Sequence, residues 1–449
     1  MVNNMDKNKK FISDTVSTIV RQMSNILLGV LLIVILARYL QPEGQGQYSL
    51  ITLLPLLLVT FLTLGLNTST TYFISKGNIS VSNVIKTNIL VSFILSGIAV
   101  AFGFIFIYFF SGQFFKGIDV SLLYLVLAAL PFMFIKEMLM TVFHGLQDFK
   151  SFNKLMVYFQ AFLLILVALL VILGGLGING AIIAFVLANI IIVITIFYYL
   201  RKKKVDVAGG EFDTLYLKKA INYGIKAHIS NAMTFLNYRL DILILGYFVS
   251  SASVGLYTVS VNVGERITIL AVAISSVLFP RISSTTDKGE RDKVTAIVSR
   301  NIAFITLIGG IFAFLLSDLV FELFFGSQYE KSSLLLKILL PGIMLLAVEK
   351  VLSNDIAGRG KPELNMYVAI INVVGNVTLN LILVPKIGVS GAAYATTISY
   401  FFSFIIKIVI FHRITGLSYR QFLLIDRSDF LRIKNLMSLI LRRLKASSG

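Results

Sequence analysis

The chain has 449 residues, 57% of them hydrophobic and only 14% charged, and it carries a formal net charge of +18 without a single cysteine. A water-soluble domain holds about a quarter charged residues, so this composition argues against an ordinary soluble enzyme. The lack of cysteine excludes disulfides, thiol catalysis and thiolate metal sites.

Lys7, Lys9 and Lys10 precede an apolar stretch that superficially resembles a signal peptide. The stretch is too long and has no small-residue cleavage site, so it reads as a first membrane span. A run of about 20 apolar residues crosses a bilayer as a helix. About twelve such runs are predicted, at 11–40, 46–74, 84–110, 120–142, 153–175, 179–200, 218–248, 252–280, 294–324, 330–352, 364–386 and 389–412. The connectors alternate in charge. One set holds about 27 of the 40 Lys and Arg residues, including Arg201 to Lys204, while the other holds only Arg38, Lys116, Lys331 and Lys386. Loops rich in Lys and Arg stay cytoplasmic, so a multi-pass protein with both termini cytoplasmic is expected. Its positive charge is loop bias, which removes nucleic acid as a partner. From Asp429 to Lys445, Phe430, Ile433, Met437, Ile440 and Leu444 recur at helical spacing among basic residues. That pattern predicts an amphipathic helix on anionic membrane lipids.

Polar residues inside the spans fall on stripes. Asp14, Thr18, Arg21, Gln22 and Asn25 of span one lie within about a third of a turn. Lys226, Ser230, Thr234, Asn237 and Asp241 share one face of span seven; Thr258, Asn262, Glu265 and Arg266 cluster on span eight. Arg239 lies about 160° from Asp241 on the same helix, which disfavours a pair between them. Lys136-Glu137 in span four and Glu349-Lys350 in span ten read as structural or gating pairs. His144, His228 and His412 are scattered, with no second ligand at metal spacing, and read as packed histidines. No catalytic triad, phosphate loop or cofactor motif stands out.

Two halves superpose on one another. Leu36-Ala37 and Gly46-Gln47-Tyr48 match Leu245-Gly246 and Gly255-Leu256-Tyr257 at a constant offset, and Gly177-x-x-Gly180-Ala181-x-x-Ala184 matches Gly388-x-x-Gly391-Ala392-x-x-Ala395. Those small residues allow close helix packing in lipid. Six spans per half, an even number, give a parallel repeat, for which a substrate path between the halves is expected. The predicted division is residues 1–200, a linker at 201–217 that is polar and flexible by composition, residues 218–413, and a basic tail at 414–449. The fold class is therefore all-α integral membrane, with about twelve transmembrane helices in two six-helix parallel-repeat lobes around a central cavity.

Several short motifs fall in order along this frame. They are Ala37-Arg38-Tyr39-Leu40-x-Pro42-x-Gly44-x-Gly46-x-Tyr48, Gly65-Leu66-Asn67 running to Tyr72-Phe73-Ile74, Gly145-Leu146-x-x-Phe149-Lys150, Asp241-x-x-x-Leu245-Gly246 with Gly255-x-Tyr257, and Phe279-Pro280. Over residues 11–413 the chain resembles the O-antigen or polysaccharide flippase branch of the multidrug/oligosaccharidyl-lipid/polysaccharide exporter superfamily. The resemblance implies two lobes in a V, with spans one, two, seven and eight lining the cavity. It implies movement of an undecaprenyl-diphosphate-linked oligosaccharide across a bacterial inner membrane, with no cofactor. Implied partners are the lipid-linked oligosaccharide and membrane lipids, and candidate protein partners are a polysaccharide polymerase and its chain-length machinery. A multidrug-type exporter shares the frame and is the alternative; a membrane polymerase would need a sizeable outer loop.

Moving a diphosphate and a glycan through hydrocarbon needs a polar groove, because unpaired polar groups are heavily penalised there. Arg21, Gln22, Asn25, Lys226, Asn237, Asn262 and Arg266 are the candidate substrate contacts. Arg suits diphosphate because its planar fork binds two oxygens. Ion pairs with Asp14 or Glu265 are the structural alternative for Arg21 and Arg266, and snorkelling is the alternative for Lys226. Asp241 and Glu265 are candidates for a coupling H+ or Na+, with fixed salt bridges as the alternative.

Overall fold

The structure, a computed structural model, describes residues 2–426 apart from 78, 208, 270, 272–277, 279–281, 284 and 286, and also Asp429; side chains are described from Ser17 onward, Ile19 and Lys226 excepted. Among the described residues there is no strand. The helices in chain order are α1 (Val2–Leu62), α2 (Leu66–Lys76), α3 (Val81–Phe114), α4 (Val120–Leu127), α5 (Leu130–Gly145), α6 (Phe149–Val167, continued by a π-helical turn to Leu173), α7 (Gly177–Lys202), α8 (Thr214–Phe248) and α9 (Ser251–Glu265). They are followed by α10 (Lys288–Phe324), α11 (Glu330–Gly358), α12 (Pro362–Ile387), α13 (Val389–Thr415) and the short α14 (Tyr419–Leu423). Eight helical stretches among the described residues are long and apolar enough to cross a membrane, and one of them, Val20–Leu62, contains two expected spans. The 35-residue α8 is long enough but carries Lys218, Lys219, Lys226, Arg239 and Asp241 along its length. Phe279-Pro280 and the tail helix beyond Asp429 lie outside the described residues.

Backbone breaks divide the spans. Gln41 takes φ 60°, ψ 174°, which separates spans one and two within α1. Pro42 follows at the first helical position, where its fixed φ fits and its missing N–H costs nothing. Span two does not run unbroken to residue 74 as the hydropathy suggests. It ends at Leu62, and Leu64 (φ 51°) and Gly65 (φ 74°) turn it into α2. Expected span four divides similarly into α4 and α5. Carboxylates cap three helix starts by accepting from backbone N–H groups: Asp119 on Ser121 (2.9 Å), Asp148 on Ser151 (3.2 Å) and Asp213 on Tyr216 (2.7 Å). Each satisfies a donor that the first helical turn leaves open.

By packing, the chain forms two compact units, one of Met1–Val259, Phe321–Ser332 and Asn380–Val389, the other of Ser260–Val320, Ser333–Leu379 and Ser390–Gly449. In the first, α1 packs on α6 and α7, α2 on α5, and α8 on α1, α2 and α3.

The duplication is visible inside this unit. A Cβ on Gly46 would overlap the carbonyl oxygen of Ser251, and one on Gly255 would overlap that of Pro42. Under the offset that relates Gly46 to Gly255, Pro42 corresponds to Ser251, so each glycine sits on the image of the other's neighbour. Ser49 and Thr258, also images of one another, share a hydrogen bond of 3.2 Å. Such reciprocity is what a two-fold axis produces.

The stretch before α8 is not the flexible linker its composition suggests. Gly210 leaves no room for a Cβ against the Ser82 backbone. The N–H of Glu211 donates to Asn83 Oδ1 (3.0 Å) and that of Asp213 to Thr87 Oγ1 (2.8 Å). The Tyr216 hydroxyl then joins Thr70 (2.9 Å) and Asn88 (3.2 Å). Amide and hydroxyl groups on α3, those of Thr87 and Asn88 buried, tether what the sequence marks only as polar.

In the second unit, Ala296, Val348, Leu352, Phe404, Ile408, Phe411 and Phe422 form one core. Phe422 of α14 packs edge-on against Phe411 with ring centres 4.9 Å apart. Arg300 binds Asp429 at 2.7 Å.

Candidate functional site

In the first unit the polar stripe of span one lies on α1. Asn153 of α6 donates to the hydroxyls of Ser17 and Thr18, both at 3.1 Å, and so fixes one side of the helix. Farther along, Arg21 Nε and Asn25 Oδ1 are shielded from solvent with no hydrogen-bond partner among the described residues, and so are Asn67 Oδ1 on α2 and Asn237 Oδ1 on α8. Buried polar atoms are nearly always paired. Here α8 packs on both α1 and α2, and each of the three helices carries such atoms. Arg21 is near enough to His144 for its charge to be felt there.

The break in span two sets how α2 meets α8. Leu64 and Gly65 open the helix, and Gly65 lies so close to Gly224 that neither could carry a Cβ without overlapping the other's backbone. Ser69 Oγ donates to the carbonyl of Ala220, and His228 Nε2 bonds the Phe61 carbonyl at 3.0 Å, occupying an acceptor that the break exposes. Tyr72 stacks on Tyr223 with ring centres 4.2 Å apart.

Asp241 is buried, and its carboxylate accepts the hydroxyl of Tyr257 and the N–H of Ile242 (2.8 Å). The side chain of Lys226 lies outside the described residues, as does that of Asp14. Gln22 is half-buried on α1 beside Arg21.

Lys136 and Glu137 part company. Lys136 Nζ donates to Asn189 Oδ1 on α7 (3.2 Å) and lies 4.1 Å from the Phe159 ring centre, while Glu137 accepts from Asn67 Nδ2 on α2 (3.4 Å). Adjacent residues project about 100° apart on a helix, so they hydrogen-bond to different neighbours, while Glu137 stays within electrostatic reach of Lys136.

The second unit holds Asn262, Glu265 and Arg266. Glu265 is felt by Lys350, whose Nζ lies 3.4 Å from Thr268 Oγ1. Glu349, next to Lys350, faces a cation that sequence reasoning passed over. Lys407 is 2% exposed, donates to Asn365 Oδ1, and lies within electrostatic reach of Glu349. A lone lysine in an otherwise apolar span was the available signal, since such residues are costly in the membrane. At the loop end, Arg359 grips Asp355 through Nε (2.6 Å) and Nη2 (3.1 Å), and Asp292 through Nη1 (2.7 Å).

Helices of membrane-spanning length, some of them keeping polar atoms shielded from solvent, define a polytopic membrane protein. The model of the family described as "Polysaccharide biosynthesis protein" matches residues 11–286, and that of MatE matches residues 227–382. The chain belongs to the polysaccharide biosynthesis protein family, within the exporter superfamily whose motifs it carries.

The chain is 26% identical over 211 residues, 46% of its length, to a Haloferax volcanii protein named "Probable low-salt glycan biosynthesis flippase Agl15". It is 25% identical over 189 residues, 41% of its length, to the capsular polysaccharide biosynthesis protein CapF of Staphylococcus aureus. It spans about half the length of these relatives, 44% and 48% respectively. Its fold is similar to that of the lipid II flippase MurJ in an inward closed conformation, with a TM-score of 0.75 and 16% identity, covering 97% of this chain and 93% of that one.

Proposed function

We propose that this protein is a flippase that moves an undecaprenyl-diphosphate-linked oligosaccharide from the cytoplasmic to the outer leaflet of a bacterial inner membrane, both termini being cytoplasmic. Residues 1–200 and 218–413 act as its two six-span lobes. The observation that carries the reading is the set of shielded, unpartnered polar atoms of Arg21, Asn25, Asn67 and Asn237. In a membrane bundle such atoms are expensive unless a polar cargo or its hydration meets them. Family membership and the printed names of the relatives support a glycan cargo.

In this reading Arg21, with Lys226 and Arg266, offsets the charge of the diphosphate, while Gln22, Asn25, Asn237 and Asn262 face the sugars. Asp241 and Glu265 are the positions where a proton or Na+ would couple to the cycle. Of the two, Asp241 is the buried carboxylate, and the Tyr257 hydroxyl that it accepts holds it in place. Membrane lipids, a polysaccharide polymerase and its chain-length machinery are the proposed partners.

The test is glycan export in cells carrying Arg21→Ala. Losing a charge-assisted contact of 1.5–3 kcal/mol lowers the flux roughly ten- to hundredfold, with insertion unchanged. Wild-type surface polysaccharide in this variant would remove the site.

A further inference from the structure

We infer that Arg38 and Lys116 form a pair of crossed latches that hold one end of the bundle shut and must let go for that end to open. Helix C-termini leave carbonyls unsatisfied and carry partial negative charge. Arg38, at the end of span one, donates through Nε to the Phe324 carbonyl at 2.7 Å and through Nη2 to that of Leu323, the last residues of α10. Lys116, just beyond α3, donates to the Tyr247 carbonyl at 2.6 Å, one residue before α8 ends.

The repeat gives these contacts their meaning. Span one corresponds to span seven and span three to span nine. The Arg38 bridge joins one to nine; the Lys116 bridge joins three to seven. They are images of one another about the axis on which Gly46 and Gly255 meet, with the cation supplied from the first half of the sequence each time. Around them other bonds also run from side chains to carbonyls: Tyr329 to Ala37 (3.2 Å), Ser251 to Lys116 (3.2 Å), Gln47 to Gly117 (3.2 Å) and Ser332 to Leu256 (2.9 Å).

The chemistry suits a device that opens. Both cations are solvent-exposed, so their bonds exchange readily with water. Neither forms an ion pair with a carboxylate among the described residues. The closure therefore depends on where the helix ends stand. The role of the latches in a cycle rests on the transport reading, but their existence can be tested without cargo.

The chain has no cysteine, so Ser49→Cys places one thiol on the axis beneath the latches and Ser250→Cys places one on the exposed rim. A membrane-impermeant maleimide is applied from the Arg38 side. Combining Arg38→Gln with Lys116→Gln should speed labelling at position 49 roughly tenfold relative to position 250. Each single variant should give part of that gain, and Arg38→Lys should restore most of the slow rate. An unchanged ratio of the two rates in the single and double variants would overturn the latch. Should the double variant fail to insert, the single variants decide. Export lost with labelling unchanged sinks the latch alone; faster labelling in a chain that moves no glycan supports the latch and sinks the transport reading.

Discussion

Replacing Ser49 and Thr258 with cysteine should trap the axis. Their hydroxyl oxygens lie 3.2 Å apart, so two sulfurs there need to shift by only about 1 Å to reach a bond of about 2.05 Å. In a chain without other cysteines, the bond can form only within this pair or between molecules. It closes a loop of about 210 residues, and the chain-entropy relation gives about 5 kcal/mol of added resistance to unfolding as an upper figure. The functional effect is larger than the thermodynamic one, because a covalent bond across the axis forbids separation of spans two and eight. The assay compares export in oxidised and reduced cells or vesicles, with crosslinking followed by gel mobility. Export should fall to background on oxidation and return on reduction. A fully crosslinked protein that exports at the reduced rate would show that this contact stays closed throughout transport, and failure to crosslink would refute the pairing itself.

Two further outcomes concern stability. Arg359→Ala should destabilise by about 3–5 kcal/mol in detergent unfolding, because it leaves Asp355 and Asp292 buried without their cation; adding Asp355→Asn should recover part of the loss, and an additive double variant would contradict the coupling. Between the membrane helices, Lys203 pairs with Asp148 at 2.7 Å. Burial alone would raise the Asp148 carboxyl, but the Lys203 ammonium and the Ser151 contacts outweigh it and hold the value below the ordinary range. A depressed carboxyl stabilises above its unfolded value, about pH 4, and that contribution fades as pH falls through the folded value. Lys203 is half exposed, so Lys203→Met should cost no more than about 1 kcal/mol at neutral pH and flatten the acid limb. A steeper acid limb would reverse the assignment.

The helical frame was legible because hydrocarbon thickness fixes span length and loop charge alternates; both are one-dimensional signals. The repeat was legible at Gly46 and Gly255 because the axis tolerates no side chain at either. The break after Leu62 was not, since Thr63-Leu64-Gly65 continues the apolar run and only the approach of Gly224 demands the turn. The tether of residues 210–216 was hidden because Asn83, Thr87 and Asn88 look like isolated polar residues at the start of an apolar helix. At the candidate site, periodicity places Arg21, Asn25 and Asn237 on polar faces, and each carries a polar atom shielded from solvent. Asn67 stands inside a motif with nothing local to mark it as a contact, because Glu137, which accepts from it, is distant in sequence. Lys136-Glu137 reads as a pair because the two are adjacent; the helix sends their hydrogen bonds to different neighbours and leaves an electrostatic coupling between them.

The glycines on the axis also bear on descent. Each stands against backbone that a fused copy of the same ancestral segment contributes, so neither position could gain even a methyl group while its counterpart stayed put. Before fusion, the same geometry would have let a half-length chain dimerise with itself, with one substitution felt twice. Joining the copies freed everything away from the axis to diverge.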